Sequence, residues 1–293
     1  MKLVRQTVIN GQRALAHSYA KINLTLDITG KRDDGYHTLE TIMQNVNLSD
    51  IIIVDKQHEG IRVSTNKKFL PSNNKNIAYK AAELFFKESN INKGAKIHIH
   101  KNIPIAAGLA GGSGNAAATL AALNLLYDMP FSDEELLKIA SKLGADVPYC
   151  LMGGTQMATG IGDIMEPLEN KIKSYILLTT PPVAVSTVWA YNEFDKITEK
   201  TQVNTKEMLC ALKNGDYHKM CDNLSNALEG VTTKEHPEII TIKEKMKTFG
   251  ADGVLMSGSG PTVFGFFDDI KKAKAAQDSL SHKYKDVFLT TTI

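Results

Sequence analysis

The sequence predicts an α+β protein in two parts, and three stretches carry that expectation. Residues Tyr19–Ile28 alternate in polarity as a strand does. Residues Lys96–Leu120 read as strand, glycine-rich loop and helix. Beyond a polar stretch at Pro167–Lys173, strands and helices resume in mixed order. The expected boundary lies near residue 165, giving parts 1–165 and 166–293.

The 293 residues are enough to bury two modest cores. A hydrophobic fraction of 43% and a charged fraction of 23% are those of an ordinary globular chain. The 34 basic residues nearly balance the 32 acidic ones, for a net charge of +2. This excludes the strongly basic footprint of a nucleic-acid binder, so an anionic ligand must be caught by a local site. Cys150, Cys210 and Cys221 form no Cys-x-x-Cys pair and fit a reduced cytosolic protein. Residues Met1–Asn10 lack the apolar core of a secretory leader, and no run of about 18 apolar residues could span a membrane.

The elements follow in order. In Tyr19–Ile28, Ala20, Ile22, Leu24, Leu26 and Ile28 share one face, and Lys21, Asn23, Thr25 and Asp27 the other. That predicts a half-buried strand. Gly30–Gly35 is turn chemistry. Thr38–Val46, Ile51–Asp55 and Gly60–Ser64 read as strands, and Asn76–Glu88 has helical apolar spacing. After the glycine-rich loop, a helix begins near Ser113. Ser132-Asp-Glu-Glu135 is a capping box opening a helix to about Leu143, stopped by Gly144–Pro148. Gly153–Gly160 is a strand into a turn, and Tyr175–Thr179 a strand closed by Pro181 and Pro182. Helices are expected over 205–213, 216–228, 235–248 and 269–281. Strands flank Ser257–Pro261, and one starts at Val287.

The loop Pro104–Gly114 is the most informative stretch. Gly108, Gly111, Gly112 and Gly114 crowd into it just before a helix. Small residues there also suit close helix–sheet packing, but this density points to phosphate binding. Glycine lets a ligand approach the backbone, and the unpaired N–H groups of a first helical turn attract an anion. The loop lacks the Gly-Lys-Ser/Thr ending of a Walker A motif.

Lys21 by position alone is a solvated lysine. Asn23 points the same way, and the two together could grip an anionic or hydroxyl-bearing substrate. Asp146 alone is a turn aspartate. Its apolar neighbours predict burial, which calls for a partner such as Lys21. Tyr36 and His37 offer a stacking ring and an imidazole. Ser257–Pro261 is a tight turn or a second phosphate contact. Neither a zinc-type cluster nor a Gly-x-Ser-x-Gly elbow occurs.

Taken together, Ser18-Tyr-Ala-Lys-Ile-Asn-Leu24, Pro104–Leu120 and Ser257-Gly-Ser-Gly-Pro-Thr262 resemble the GHMP small-molecule kinases. Asp34-Gly-Tyr-His37, Gly144-Ala-Asp-Val-Pro148 and Val185-Ser-Thr187 resemble the branch whose acceptor is a diphosphocytidyl methylerythritol. The resemblance implies ATP-dependent phosphorylation of the acceptor's 2-hydroxyl, in the non-mevalonate route to isopentenyl diphosphate. Asp146 would be the general base or orient the hydroxyl, and Lys21 would pair with it and offset charge on the attacking oxygen. Pro104, Ile105, Ala106, Ala107, Gly108, Leu109, Ala110, Gly111, Gly112, Ser113 and Gly114 would cradle the ATP phosphates, with Lys101 near the nucleotide. Mg2+ would be held mainly by the phosphates, with no protein metal ligand assigned. Asn23, Tyr36, His37, Thr187 and Tyr191 would meet the diphosphocytidyl substrate, Tyr36 and Tyr191 flanking its cytosine.

The resemblance further implies an N-terminal domain like the second domain of ribosomal protein S5, a ferredoxin-like C-terminal domain, and an active cleft between them. It implies a cytoplasmic monomer or weak homodimer acting on small molecules, without nucleic-acid or membrane partners. A homoserine- or mevalonate-type kinase is the alternative within the family, which a substrate panel separates. A catalytically silent ATP-binding sensor would have lost Lys21 or Asp146, and both are present. In the loop, Ala106 and Ala110 stand where the family carries glycines, and Gly114 where it carries a serine. A left-handed Ala110 would cost on the order of 1 kcal/mol or more, so right-handed helical or extended angles are expected there.

Overall fold

The alternating stretch is the middle of a longer strand, β2 (Arg13–Lys31), in the computed structural model, which describes residues 6–9, 11–198 and 201–293. The chain packs as two compact units. One takes Met1–Ala20, Leu48–Ile105 and Ala110–Gly153; the other takes Lys21–Asn47, Ala106–Leu109 and Gly154–Ile293. Strand β2 and the next strand, β3 (His37–Gln57), each contribute to both units, so the units interleave along the chain.

In the first unit, β1 (Gln6–Ile9) pairs antiparallel with the start of β2. The far half of β3 pairs antiparallel with β5 (Gly94–His100), and β4 (Ile61–Thr65) runs parallel to β5. Thr38–Val46 and Ile51–Asp55 are thus one strand. Asn47–Asp50 reads as a break in sequence, but Asp50 is fully buried there and its carboxylate is bonded by neighbouring chain segments, which holds the backbone extended. Helix α1 (Ile77–Ser89) starts where the Asn76 side chain accepts from Ala78 N, and it buries Ala78, Ala81, Ala82 and Phe85. Helix α2 (Gly111–Leu126) begins slightly before the expected Ser113 and packs against α1. It is apolar on all sides and almost wholly buried, as a helix without a polar face must be.

Helix α3 (Asp133–Ser141) carries the expected capping box, with Ser132 and Glu135 bonding reciprocally. Gly144–Pro148 was expected only to stop it. Instead a further helix, α4 (Asp146–Met152), starts at Asp146 and packs on α2. Pro148 is tolerated because it sits in the first turn, where its missing N–H has no intrahelical partner.

In the second unit, β6 (Thr155–Thr159) pairs with β3 at Thr41–Gln44 and with β7 (Ile164–Leu168). The cut expected near residue 165 falls inside β7. Four antiparallel strands make a separate sheet in the order β10 (Gly253–Met256), β11 (Val263–Phe267), β8 (Tyr175–Thr180), β12 (Asp286–Thr291). Helices α9 (Glu238–Thr248) and α10 (Ile270–Ser281) pack on it, burying Ile242, Met246, Ala273, Ala276 and Leu280 with Leu177, Val263 and Phe267.

The three helices expected between 205 and 248 are four: α6 (Thr205–Asn214), α7 (Tyr217–Asp222), α8 (Glu229–Glu235) and α9, preceded by α5 (Thr187–Phe194). The predicted helix over 216–228 breaks because Ser225–Asn226 becomes a short strand, β9, parallel to β2 at Thr25–Leu26. The Asn226 amide donates to the Met256 and Gly258 carbonyls, a long-range tie that overrides local helix propensity.

Candidate functional site

The face of β2 opposite its aliphatic stripe is not solvated, contrary to the half-buried strand expected. Lys21 is 5% exposed, Asn23 2% and Thr25 0%. Burial of these polar groups is matched by hydrogen bonds, as it must be. Lys21 Nζ donates to Asn23 Oδ1 at 2.5 Å. Asn23 Nδ2 donates to Thr41 Oγ1 at 2.8 Å, and Thr41 Oγ1 donates to the Thr25 carbonyl at 2.5 Å. This relay fixes which way the Asn23 amide points and holds its oxygen on the ammonium.

Both glycine clusters meet this lysine. The Lys21 backbone N–H donates to the Leu109 carbonyl at 3.2 Å. A Cβ on Gly258 would lie 3.5 Å from Lys21 Nζ. Ser257 Oγ donates to the Gly108 carbonyl at 2.9 Å, and a Cβ on Gly108 would strike the Ser257 carbonyl oxygen. Gly108 has φ 72°, so glycine is required there by both space and conformation. Ser257–Pro261 is therefore a turn that packs on the glycine-rich loop.

The loop's own backbone departs from expectation. Ala110 has φ 53° and Ala106 φ 52°, both left-handed. Ala110 is the N-cap of α2, and the chain enters the helix through that conformation. Alanine, the smallest residue with a Cβ, bears it at a cost of about 1–2 kcal/mol each. No side chain caps α2, so its first N–H groups are left without a side-chain acceptor at the positive end of the helix dipole. A Cβ on Gly112 would meet only Ile77 Cγ2, at 3.9 Å, whereas one on Gly111 would lie 2.6 Å from Lys101 Nζ. At position 114 a Cβ would strike Ser18 Oγ, so a serine there requires the Ser18 hydroxyl to turn away.

Lys101 is 4% exposed and its ammonium is spent on Asp50, at 2.5 Å. Burial pushes its pKa below the ordinary lysine value, with Asp50 opposing. The Asp50 carboxylate also accepts from Asn102 N at 2.7 Å, Ile103 N at 2.8 Å and Asn115 Nδ2 at 2.7 Å. It thus ties the end of β5, the chain leading into the loop and the first turns of α2 to β3. Asp146 opens α4 and is half-buried, less so than its apolar neighbours predict. Tyr149, one turn on, is fully buried, and its hydroxyl is pushed well above the usual value, mainly by desolvation and then by Cys150 and Asp146.

Of the residues assigned by resemblance to the diphosphocytidyl group, Asn23 lies against Lys21, and His37 is in contact with Tyr191. His37 stacks on Tyr191 with ring centroids 4.9 Å apart, and Asp195 accepts from its Nε2 at 2.7 Å. Thr187 and Ser259 share a hydroxyl hydrogen bond of 3.1 Å. Tyr36 is 63% exposed on the turn at Asp33–Gly35, whose Asp34 accepts from the Tyr36 N–H. Asp50, Thr41 and Asp195 were not singled out from the sequence. Each belongs to no recognisable local motif and gains its partner from a distant segment. Among the described residues, no three His, Cys, Asp or Glu side chains gather to hold a metal ion, and no helix is long and apolar enough to cross a membrane.

Comparison with known proteins agrees with this layout. The GHMP kinases N terminal domain matches residues 76–154, and the GHMP kinases C terminal domain matches 208–286. A 4-diphosphocytidyl-2-C-methyl-D-erythritol kinase of Clostridium perfringens is 48% identical over 282 residues, covering 94% of this chain and 97% of its own length. One of Clostridium beijerinckii is 46% identical over 276 residues, covering 94% and 99%. A crystal structure of 4-(cytidine 5'-diphospho)-2C-methyl-D-erythritol kinase superimposes with a TM-score of 0.82 at 31% identity, over 95% of this chain and 98% of that one. Homoserine kinase of Cytophaga hutchinsonii shares the fold, with a TM-score of 0.78 at 18% identity over 100% and 97% of the two chains. With both domains matched and relatives of this identity along nearly its whole length, the chain belongs to the GHMP kinase family.

Proposed function

We propose that the protein transfers the γ-phosphoryl group of ATP to the 2-hydroxyl of 4-diphosphocytidyl-2-C-methyl-D-erythritol, a step of the non-mevalonate route to isopentenyl diphosphate. The observation that carries this reading is the 46–48% identity, over nearly the whole chain, to relatives bearing that substrate's name. The homoserine- or mevalonate-type alternative has only neighbours of low identity on its side.

In this reading ATP arrives as its magnesium complex, the metal held mainly by phosphate oxygens. The uncapped start of α2 and the glycines of Pro104–Gly114 receive the phosphates through backbone N–H groups. The acceptor 2-hydroxyl oxygen attacks the γ-phosphorus, the bond to the bridging oxygen breaks, and ADP leaves. Asp146 orients that hydroxyl and takes its proton. Lys21, held in place by Asn23, offsets charge on the attacking oxygen. His37, Tyr191, Thr187 and Tyr36 bind the diphosphocytidyl moiety, and Lys101 acts on the nucleotide side through the loop it braces.

The fold reading joins an N-terminal domain of ribosomal protein S5 domain 2 type (1–165) to a ferredoxin-like one (166–293). The antiparallel sheet β10-β11-β8-β12 with α9 and α10 on it supports the latter. The enzyme works in the cytoplasm on small molecules, as a monomer or weak homodimer. An ADP-release assay tests the activity: ATP with the diphosphocytidyl acceptor should give turnover far above that with homoserine or mevalonate. Faster turnover with either of those would overturn the reading.

A further inference from the structure

His37 is held on its face and on its edge by one short helix. Tyr191 and Asp195 lie four residues apart on the last turn and C-cap of α5, so they share a helix face. Tyr191 covers the ring at 4.9 Å with an interplanar angle of 28°, and Asp195 Oδ1 takes the ring edge at Nε2. The other carboxylate oxygen, Oδ2, is taken by Lys31 Nζ at 2.5 Å, from the end of β2. The His37 side chain is 8% exposed, so this arrangement sets the ring while leaving little of it to water.

A charged carboxylate only accepts hydrogen bonds, so Nε2 must be the donor. Lys31 first, then His37, holds the Asp195 pKa below the ordinary aspartate value, which keeps the carboxylate charged. In the neutral ring the proton therefore sits on Nε2 and Nδ1 is an acceptor. No described residue donates to Nδ1. A cytidyl group carries an exocyclic amine, which is the donor such an acceptor fits.

We propose that Asp195, backed by Lys31, is a positioning residue that fixes the Nε2–H tautomer of His37 and so presents Nδ1 as an acceptor to the cytidyl group. The inference rests on the functional reading above and adds to it residues that neither the sequence motifs nor the relatives' names assign. An ordering partner of this kind commonly sets a histidine's ring orientation and tautomer.

The arrangement predicts an unusual pattern in variants. In Asp195→Asn the shape is kept. Lys31 can only donate, so it takes the amide oxygen and turns the amide NH2 toward His37. Nε2 must then accept, the ring proton moves to Nδ1, and the acceptor is lost. Removing Lys31 as well, in Lys31→Met/Asp195→Asn, frees the amide to turn its oxygen back to Nε2 and restores the tautomer.

The test is steady-state kinetics with the diphosphocytidyl acceptor and ATP, together with nitrogen NMR of the His37 imidazole, on the full chain. Asp195→Asn should raise KM for the diphosphocytidyl acceptor by about tenfold, the loss of one ligand hydrogen bond, with kcat and KM for ATP within about twofold. Its ring should show the Nδ1–H tautomer where the wild type shows Nε2–H. Lys31→Met alone should stay within about twofold, as loss of a surface charge does. The double variant should return both KM and tautomer toward wild type, a rescue that a purely structural role does not produce. An unchanged KM in Asp195→Asn, an equal rise in KM for ATP, or a double variant worse than the single one overturns the proposal. Absence of wild-type turnover with the diphosphocytidyl acceptor instead sinks the functional reading and the ligand named here. The imidazole shifts then still decide whether Asp195 sets the tautomer.

Discussion

Lys21 and Asp146 carry the sharpest expectations at the scale of single residues. Asp146→Asn keeps the side chain's shape and removes its basic site, so kcat should fall by about 10²–10⁴ with KM values little changed. Lys21→Met removes an ammonium that is buried and bonded to Asn23, and its loss should be of the same order. If the two act as a unit, the double variant should be far less impaired than the product of the single losses. Single-turnover rates of the four proteins decide this. Near wild-type turnover in Asp146→Ala would remove that residue from the mechanism. The loop offers a cleaner probe at Gly112 than at Gly111, because a side chain at Gly111 runs into Lys101 while a Cβ at Gly112 makes only an ordinary contact with Ile77. Gly112→Val should raise KM for ATP about tenfold or more through lost amide–phosphate bonds, with the melting temperature little altered. Unchanged KM in the folded variant would count against the loop's role. Ala110 at φ 53° is strained. Ala110→Gly relieves about 1–2 kcal/mol in the native state and gives back about 0.4–1 kcal/mol in unfolded-chain entropy. Urea unfolding should therefore show unchanged or slightly raised stability, and a clear loss would contradict the left-handed angle.

Caps and buried pairs decide the elements. Asn76 caps α1 and also donates to the Pro71 carbonyl at 2.8 Å, so Asn76→Ala should cost about 1–2 kcal/mol in urea melts. Asp50 is a larger matter, since its carboxylate accepts from Lys101, Asn102, Ile103 and Asn115. Asp50→Ala leaves a buried ammonium unpaired and should cost about 3–5 kcal/mol, part of it recovered by adding Lys101→Met. The pH dependence has a definite sign. Burial lowers the folded pKa of Lys101 below the unfolded value of 10.5, so between the two the unfolded chain binds the extra proton. Stability therefore rises with pH through that window, and the Asp50→Ala defect should shrink as pH climbs toward 10.5. A defect constant with pH would mean that Lys101 is not the uncompensated group. Helices α1 and α3 were legible because their signals, the apolar spacing over Asn76–Glu88 and the Ser132–Glu135 box, are local. The break of the helix over 216–228 was not, because the Asn226 amide finds its partners in β10 and the following turn.

For the whole molecule, thiol accessibility gives a direct check. Cys210 is exposed, Cys150 is buried, and burial pushes the Cys221 thiol up to about 12. A native thiol titration should release one equivalent promptly and the rest only on denaturation; prompt release of more would contradict this burial. By itself the sequence determined the α+β class, most of the strands and helices, the glycine-rich loop ahead of a buried helix, and the motifs that resemble one kinase family. These signals are local: periodicity, caps, turn residues and small-residue spacing act within a few positions, so a single stretch of chain records them. Only the tertiary structure decided that the middle of β2 is buried on both faces, that Ala106 and Ala110 take left-handed angles, that Lys101 is bound to Asp50, and that Asp195 holds His37. The residues of each such ion pair lie far apart in the chain. Burial is what makes a partner obligatory for a polar group, and burial is settled only when the distant segments have packed.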